Sequence, residues 1–137
     1  MKKVLGIMLL TVSSFLLVGC QAGRTTASGL GVVTLEVYGA DDVLVASETV
    51  PFYQGDTLLG LVRATFETYC GDANGDPDAT CGYVSSFGVY IVGVAGVTAD
   101  DGNEYIAFYV NGEYANSGID STAITDGAVY AFKLETF

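Results

Sequence analysis

The sequence has no His and no Trp, and its 5 Lys and Arg face 16 Asp and Glu, for a formal net charge of −11. Without imidazole there is no Ser-His-Asp or Cys-His catalysis, no His-ligated zinc and no His-ligated haem. Five cations cannot build a basic face, which excludes nucleic acid as a partner. The Gly-rich stretch Gly93–Gly96 lacks the Lys and the strand-to-helix setting of a phosphate loop. Asp41-Asp42 and Asp100-Asp101 are adjacent turn residues that point to solvent, and no nucleophile–base pair can be named. No catalytic residue is therefore assigned, and the chain is not read as an enzyme.

What is present is core material. Hydrophobic residues make up 50% of the 137, with 9 Tyr and 7 Phe, whereas a disordered acidic tail would be poor in aromatics. The length fits one domain.

Residues 1–19 read as a lipoprotein signal peptide. Lys2 and Lys3 form a positive n-region, and Val4 to Val18 is mostly apolar and shorter than the ~20 residues a spanning helix needs. Leu17-Val18-Gly19-Cys20 resembles a bacterial lipobox, in which a peptidase cuts before Cys20 and the thiol carries the lipid. Two acyl chains there meet the two-signal requirement for stable anchoring. The expected location is the extracytoplasmic face of the cell membrane, with the membrane as a partner through the lipid. Beyond Cys20 the cations are Arg24, Arg63 and Lys133 against all 16 acids, leaving −13, so the charge belongs to the exported part. It favours solubility and repels an anionic membrane surface. Residues 20–29, small and polar, read as a lipid-anchored tether. Residues 30–137 read as a single domain.

With Cys20 lipidated, Cys70 and Cys81 remain. An even pair in an exported chain is expected to form a disulfide; two free thiols are the alternative, and a metal site would lack ligands.

Val33, Leu35 and Val37 alternate with Thr34, Glu36 and Tyr38, the period of a half-buried strand. The Gly39–Asp42 turn and the alternating run Val43–Val50 complete a hairpin, with Pro51 ending it or marking an edge. Asp56 or Thr57 can cap a helix in which Leu58, Leu59, Val62, Phe66 and Tyr69 recur at helical spacing, Arg63 and Glu67 pair, and the end falls near Cys70-Gly71. Residues 71–82 form a loop, and Tyr83 to Val97 favours strand, with bulges at its glycines. Glu104 to Val110 is a strand, Asn111-Gly112 a type I′ turn, Asp126-Gly127 a second turn and Ala128 to Phe137 the last strand. This order predicts an α+β fold, a β-grasp-like mixed sheet with one helix packed across it. An all-β sandwich is the alternative.

The segments Gln54–Leu61, Ser86–Ile91, Phe108–Gly112 and Asp126–Tyr130 together resemble the C-terminal domain of transcobalamin and intrinsic factor, over roughly residues 32–137. Stand-alone copies of that domain occur in bacterial lipoproteins. The resemblance implies a β-grasp-like lid on one face of cobalamin, with a helical barrel supplying the other face. It assigns ligand contacts to Phe87, Gly88, Val89 and Tyr90, and to Tyr109, Asn111 and Tyr114. A corrinoid is the ligand it implies, with a partner protein completing the site; no cofactor is firm. The alternative function is a structural or adhesion domain contacting protein or cell wall at the cell surface.

Asp72, Asn74, Asp76 and Asp78 place oxygens at alternate positions, like the start of a calcium loop. Pro77 stands where such a loop needs Gly and Tyr83 where it needs Glu, so calcium is not expected.

Overall fold

The computed structural model describes residues 29–100 and 102–137. The signal peptide, Cys20 and nearly all of the tether lie outside the described residues. In chain order the elements are β1 (Gly31–Tyr38), β2 (Leu44–Phe52), α1 (Leu58–Thr65), β3 (Thr68–Gly71), β4 (Pro77–Asp78), β5 (Ile91–Val94), β6 (Val97–Thr98), β7 (Glu104–Val110), β8 (Glu113–Tyr114) and β9 (Val129–Thr136).

The β1 alternation does what its period requires. Val33, Leu35 and Val37 are fully buried, while Thr34, Glu36 and Tyr38 face the other way. β2 returns antiparallel and forms the sheet edge, which tolerates Pro51 opposite Val32. A short 3-10 turn, Ala40–Asp42, joins the two strands.

β9 enters between β1 and β7, parallel to β1 and antiparallel to β7. The five-stranded sheet therefore runs β2-β1-β9-β7-β8. Along β9, Tyr130 and Phe132 face the core, and the Phe108 and Phe132 rings stack at 5.3 Å. Among the described residues the architecture is mostly β with one α-helix, an α+β arrangement.

Three expectations are corrected. A single sheet was expected, but a second, four-stranded sheet runs β4-β3-β5-β6. Its buried residues Cys70, Ile91, Val94 and Val97 share one core with β1, β9 and α1.

The helix stops at Thr65 rather than near Cys70, so Phe66 and Tyr69 are not on it. The Thr57 hydroxyl caps its start, accepting from Gly60 N at 3.1 Å, while Asp56 accepts from Tyr53 N at 2.8 Å. At the other end, Thr68 to Gly71 is taken up as a strand against β5 and β4. β-branched Thr65 and Thr68 give the helix little to hold it against that pairing. Only Leu58 and Val62 are fully buried on α1, each contributing roughly 1.5–3 kcal/mol by burial. Arg63 donates to Ala79 O at 3.0 Å, and Glu67 accepts from the Tyr69 hydroxyl at 2.5 Å, so the expected Arg63–Glu67 pair gives way to other partners.

The third correction concerns Tyr83 to Val97. Only Ile91–Val94 and Val97–Thr98 are strand; Tyr83–Tyr90 is irregular apart from one tight turn between Ser85 and Gly88.

Candidate ligand-binding cleft

The turn at residues 85–88 is closed by paired main-chain bonds, Ser85 N to Gly88 O at 3.1 Å and Gly88 N to Ser85 O at 2.9 Å. The Ser85 hydroxyl accepts from Phe87 N at 3.1 Å. This geometry needs the left-handed φ of +96° at Gly88. It also thrusts Phe87 into solvent, where the ring is 88% exposed. An isolated aromatic that exposed contributes nothing to the core.

The turn is latched to a second loop. Asp120 Oδ1 accepts from Val89 N at 2.8 Å, and Ile119 N donates to Val89 O at 3.3 Å. Gly88 and Gly118 meet backbone to backbone: a Cβ on Gly118 would lie 2.9 Å from Gly88 Cα, and one on Gly88 would lie 2.7 Å from Asp120 Oδ1. Val89 is buried beneath this latch.

Between the loops 84–91 and 115–121 lies an open cleft of about 690 Å³. Ile106, Phe108 and Phe132 of the five-stranded sheet form its apolar floor, and Ser85, Asn116, Ser117 and Tyr114 supply polar groups. Asp120 is the one charged residue of the lining, and its Oδ1 is already bonded. Such a cleft suits a neutral ligand with an apolar face and a hydrogen-bonding rim.

Of the residues the sequence singled out, Phe87, Gly88, Val89, Tyr90 and Tyr114 come together here. Tyr109 and Asn111 do not line the cleft. Asn111 serves the β7–β8 turn, with φ +51° followed by +84° at Gly112, and its Oδ1 accepts from Val129 N at 2.8 Å. Tyr109 lies on the outer face of the sheet, where its hydroxyl donates to Glu135 Oε1.

That outer face is a closed polar cluster. The hydroxyls of Tyr105, Tyr109 and Tyr114 all reach the Glu135 carboxylate. Burial pushes the Glu135 carboxyl up, but the three hydroxyls and then Lys133 outweigh it and hold it below the usual range. Tyr114 is pushed up to about 12, chiefly by its bond to Glu135. Tyr105 rises further through its bonds to Tyr114 and then Glu135, and Tyr109 rises first through burial. Lys133 Nζ stands 4.8 Å from the centres of both the Tyr38 and the Tyr109 rings. Strand register puts these residues on one face of the sheet, but no sequence signal shows that three tyrosines share one carboxylate.

Cys70 and Cys81 form a disulfide with a Cα–Cα distance of 5.0 Å. It closes the acidic loop considered for calcium. There Asp72 Oδ1 accepts from Asn74 N and Asp76 N at 2.8 and 2.9 Å. Asp78 accepts from the amide and hydroxyl of Thr80, and these bonds lower its pKa. Among the described residues, no group of three or more His, Cys, Asp or Glu could hold a metal ion. Also among them, no helix is long and apolar enough to cross a membrane.

The sequence reading missed Ile106, Phe108, Asn116 and Asp120 as cleft residues. Asn116 and Asp120 come to the cleft with a loop held by the Gly88–Gly118 contact, which leaves no periodic signal, while Ile106 and Phe108 lie on β7, whose place beside that loop is set by the tertiary fold.

Fold and site define an α+β domain with a part-apolar cleft, carrying one carboxylate, at the junction of two loops. The chain belongs to the family described as "Domain of unknown function (DUF4430)", whose model matches residues 55–136. No curated protein matches it. Among solved structures it is similar to a proposed metal binding protein from Ruminococcus gnavus, at 18% identity and a TM-score of 0.57. That match covers 78% of this chain and 98% of the other, and at this identity it speaks for the fold alone.

Proposed function

We propose that this chain is a non-catalytic, lipid-anchored binding module on the extracytoplasmic face of the cell membrane. Its cleft takes a neutral small molecule with a flat apolar face. A corrinoid is the class implied by the resemblance to the transcobalamin C-terminal domain, and a partner protein covers the side of the ligand that this domain leaves open. A β-grasp description of the fold accords with the opening hairpin, the following helix and the parallel pairing of β9 with β1.

The observation that carries this reading is the cleft itself, with Phe87 held out at its rim by a glycine turn at no benefit to the core. The metal binding proposed for the Ruminococcus gnavus protein is not carried over: in the acidic loop Asp72 Oδ1 and Asp78 Oδ1 already accept from turn amides.

The test is calorimetry and visible spectroscopy on the full chain in detergent, titrated with cyanocobalamin and cobinamide. Binding heat with a shift of the corrin bands is expected. Absence of both, alone and with co-purified membrane proteins, would overturn the corrinoid reading. Mass spectrometry of the N-terminal peptide checks the anchor: a diacylglyceryl group on Cys20 is expected, and Cys20→Ala is expected to release the protein from the membrane.

A further inference from the structure

The floor of the cleft carries main-chain groups as well as rings. β7 pairs with β9 along its whole length, from Glu104 opposite Thr136 to Val110 opposite Tyr130. With β8 it pairs only at Tyr109 and Val110. Bonds at the strand ends reveal which side each residue addresses. Asn111 N donates to Val129 O at 2.8 Å and Phe137 N to Asn103 O at 2.9 Å, so odd-numbered positions bond toward β9. Phe108 O accepts from Ala115 N at 3.0 Å, so even-numbered positions bond toward the β8 side.

In an antiparallel ladder the N–H and C=O of one residue point to the same side, and the side alternates along the strand. Ile106 therefore turns both groups away from β9, beyond the end of β8, where the cleft opens. Among the described residues, no main-chain bond from the cleft walls reaches it. An apolar cleft with an open strand edge as its floor calls for a ligand that brings its own amide.

We propose that the cleft is a strand acceptor: an extended, uncharged segment of a partner protein lies along β7 and exchanges main-chain hydrogen bonds with Ile106. The inference rests on the cleft being a binding site and goes beyond the corrinoid reading: the partner's segment and a corrinoid compete for the same floor, so that only one of them occupies it at a time. Main-chain pairing supplies affinity, and the walls sort alternate side chains. Side chains on the inner face of the added strand meet Ile106 and Phe108; those on the outer face lie beside Tyr105 and Tyr114. The preferred segment thus alternates apolar with hydroxylated or amide residues. An acidic segment is disfavoured by the formal charge of −11 and by Asp120 in the lining.

The test screens the full chain in detergent against a random array of uncharged peptides of about ten residues, a length that spans a typical strand. Selected peptides are then resynthesised with N-methyl groups on one or the other alternate set of residues. Amide exchange of Ile106 is followed by NMR on isotope-labelled protein. Expected are peptides of the alternating type, loss of binding on methylating one alternate set but not the other, and at least about tenfold slower exchange at Ile106. No selected peptide, equal binding by both methylated forms, or unchanged exchange at Ile106 would overturn it. Corrinoid binding without peptide selection defeats this inference alone; failure of both removes the cleft as a binding site.

Discussion

Tyr90 occupies the space that a side chain on Gly71 would need, so that a Cβ built on Gly71 would overlap the outer atoms of the Tyr90 ring. The Tyr90 hydroxyl also donates to Asp72 O at 3.3 Å, and Gly71 N donates to Tyr90 O at 3.1 Å. The wall of the cleft is thereby seated on the disulfide-closed loop. Gly71→Ala is expected to swing the half-exposed Tyr90 ring outward at a cost of no more than about 1 kcal/mol, since the clash is with a movable ring. Its signature is altered cleft binding with a small change in the urea midpoint. A stability loss of several kcal/mol would show that the ring cannot move.

The disulfide tests the same connection from the other side. Cys70 and Cys81 are 11 residues apart, and opening that loop is expected to cost about 3 kcal/mol on the chain-entropy estimate. Urea unfolding with and without reductant measures it. Protection of the Gly71 amide, which donates to Tyr90 O, should fall more than that of β1 and β9, because the released loop carries the Tyr90 contacts.

Glu135 ties stability to pH at both ends. Its carboxyl lies below its ordinary value of 4.5 in the folded chain, so its contribution is present above that pH and is lost as pH falls through the lower folded value. Tyr114 shifts the other way: its contribution is present below pH 10.0 and is lost as pH rises toward about 12. Glu135→Gln should flatten the acid limb of a stability–pH curve. It should also bring the tyrosinate absorbance of Tyr114 back toward an ordinary titration. An unaltered late titration in that variant would mean that the shift has another source.

Phe87 and Gly118 separate binding from folding. Phe87→Ala removes an 88% exposed ring and should change stability by less than about 0.5 kcal/mol while weakening whatever the cleft binds. Gly118→Ala puts a Cβ 2.9 Å from both Gly88 Cα and Val89 N, where backbone must move. It should cost about 2 kcal/mol and disturb the cleft together with the fold. Thermal unfolding and ligand titration on both variants distinguish the two outcomes.

Local chemistry made much of the scaffold legible. The β1 alternation, the Thr57 cap, the positive-φ Asn111-Gly112 turn and the last strand are each recorded within a few residues, because side-chain period and turn dihedrals are short-range properties. Setting Cys20 aside as an expected lipidation site left two cysteines, which also indicated a bridge. The end of α1 was not readable: the spacing of Phe66 and Tyr69 suits a helix, and only pairing with β5, distant in sequence, makes that stretch a strand. The same holds for the parallel neighbour of β1, for the three tyrosines on Glu135 and for the Gly88–Gly118 contact that frames the cleft. Each depends on which distant strand or loop arrives alongside, and that is decided by how the whole chain buries its apolar faces and satisfies its main-chain groups at once.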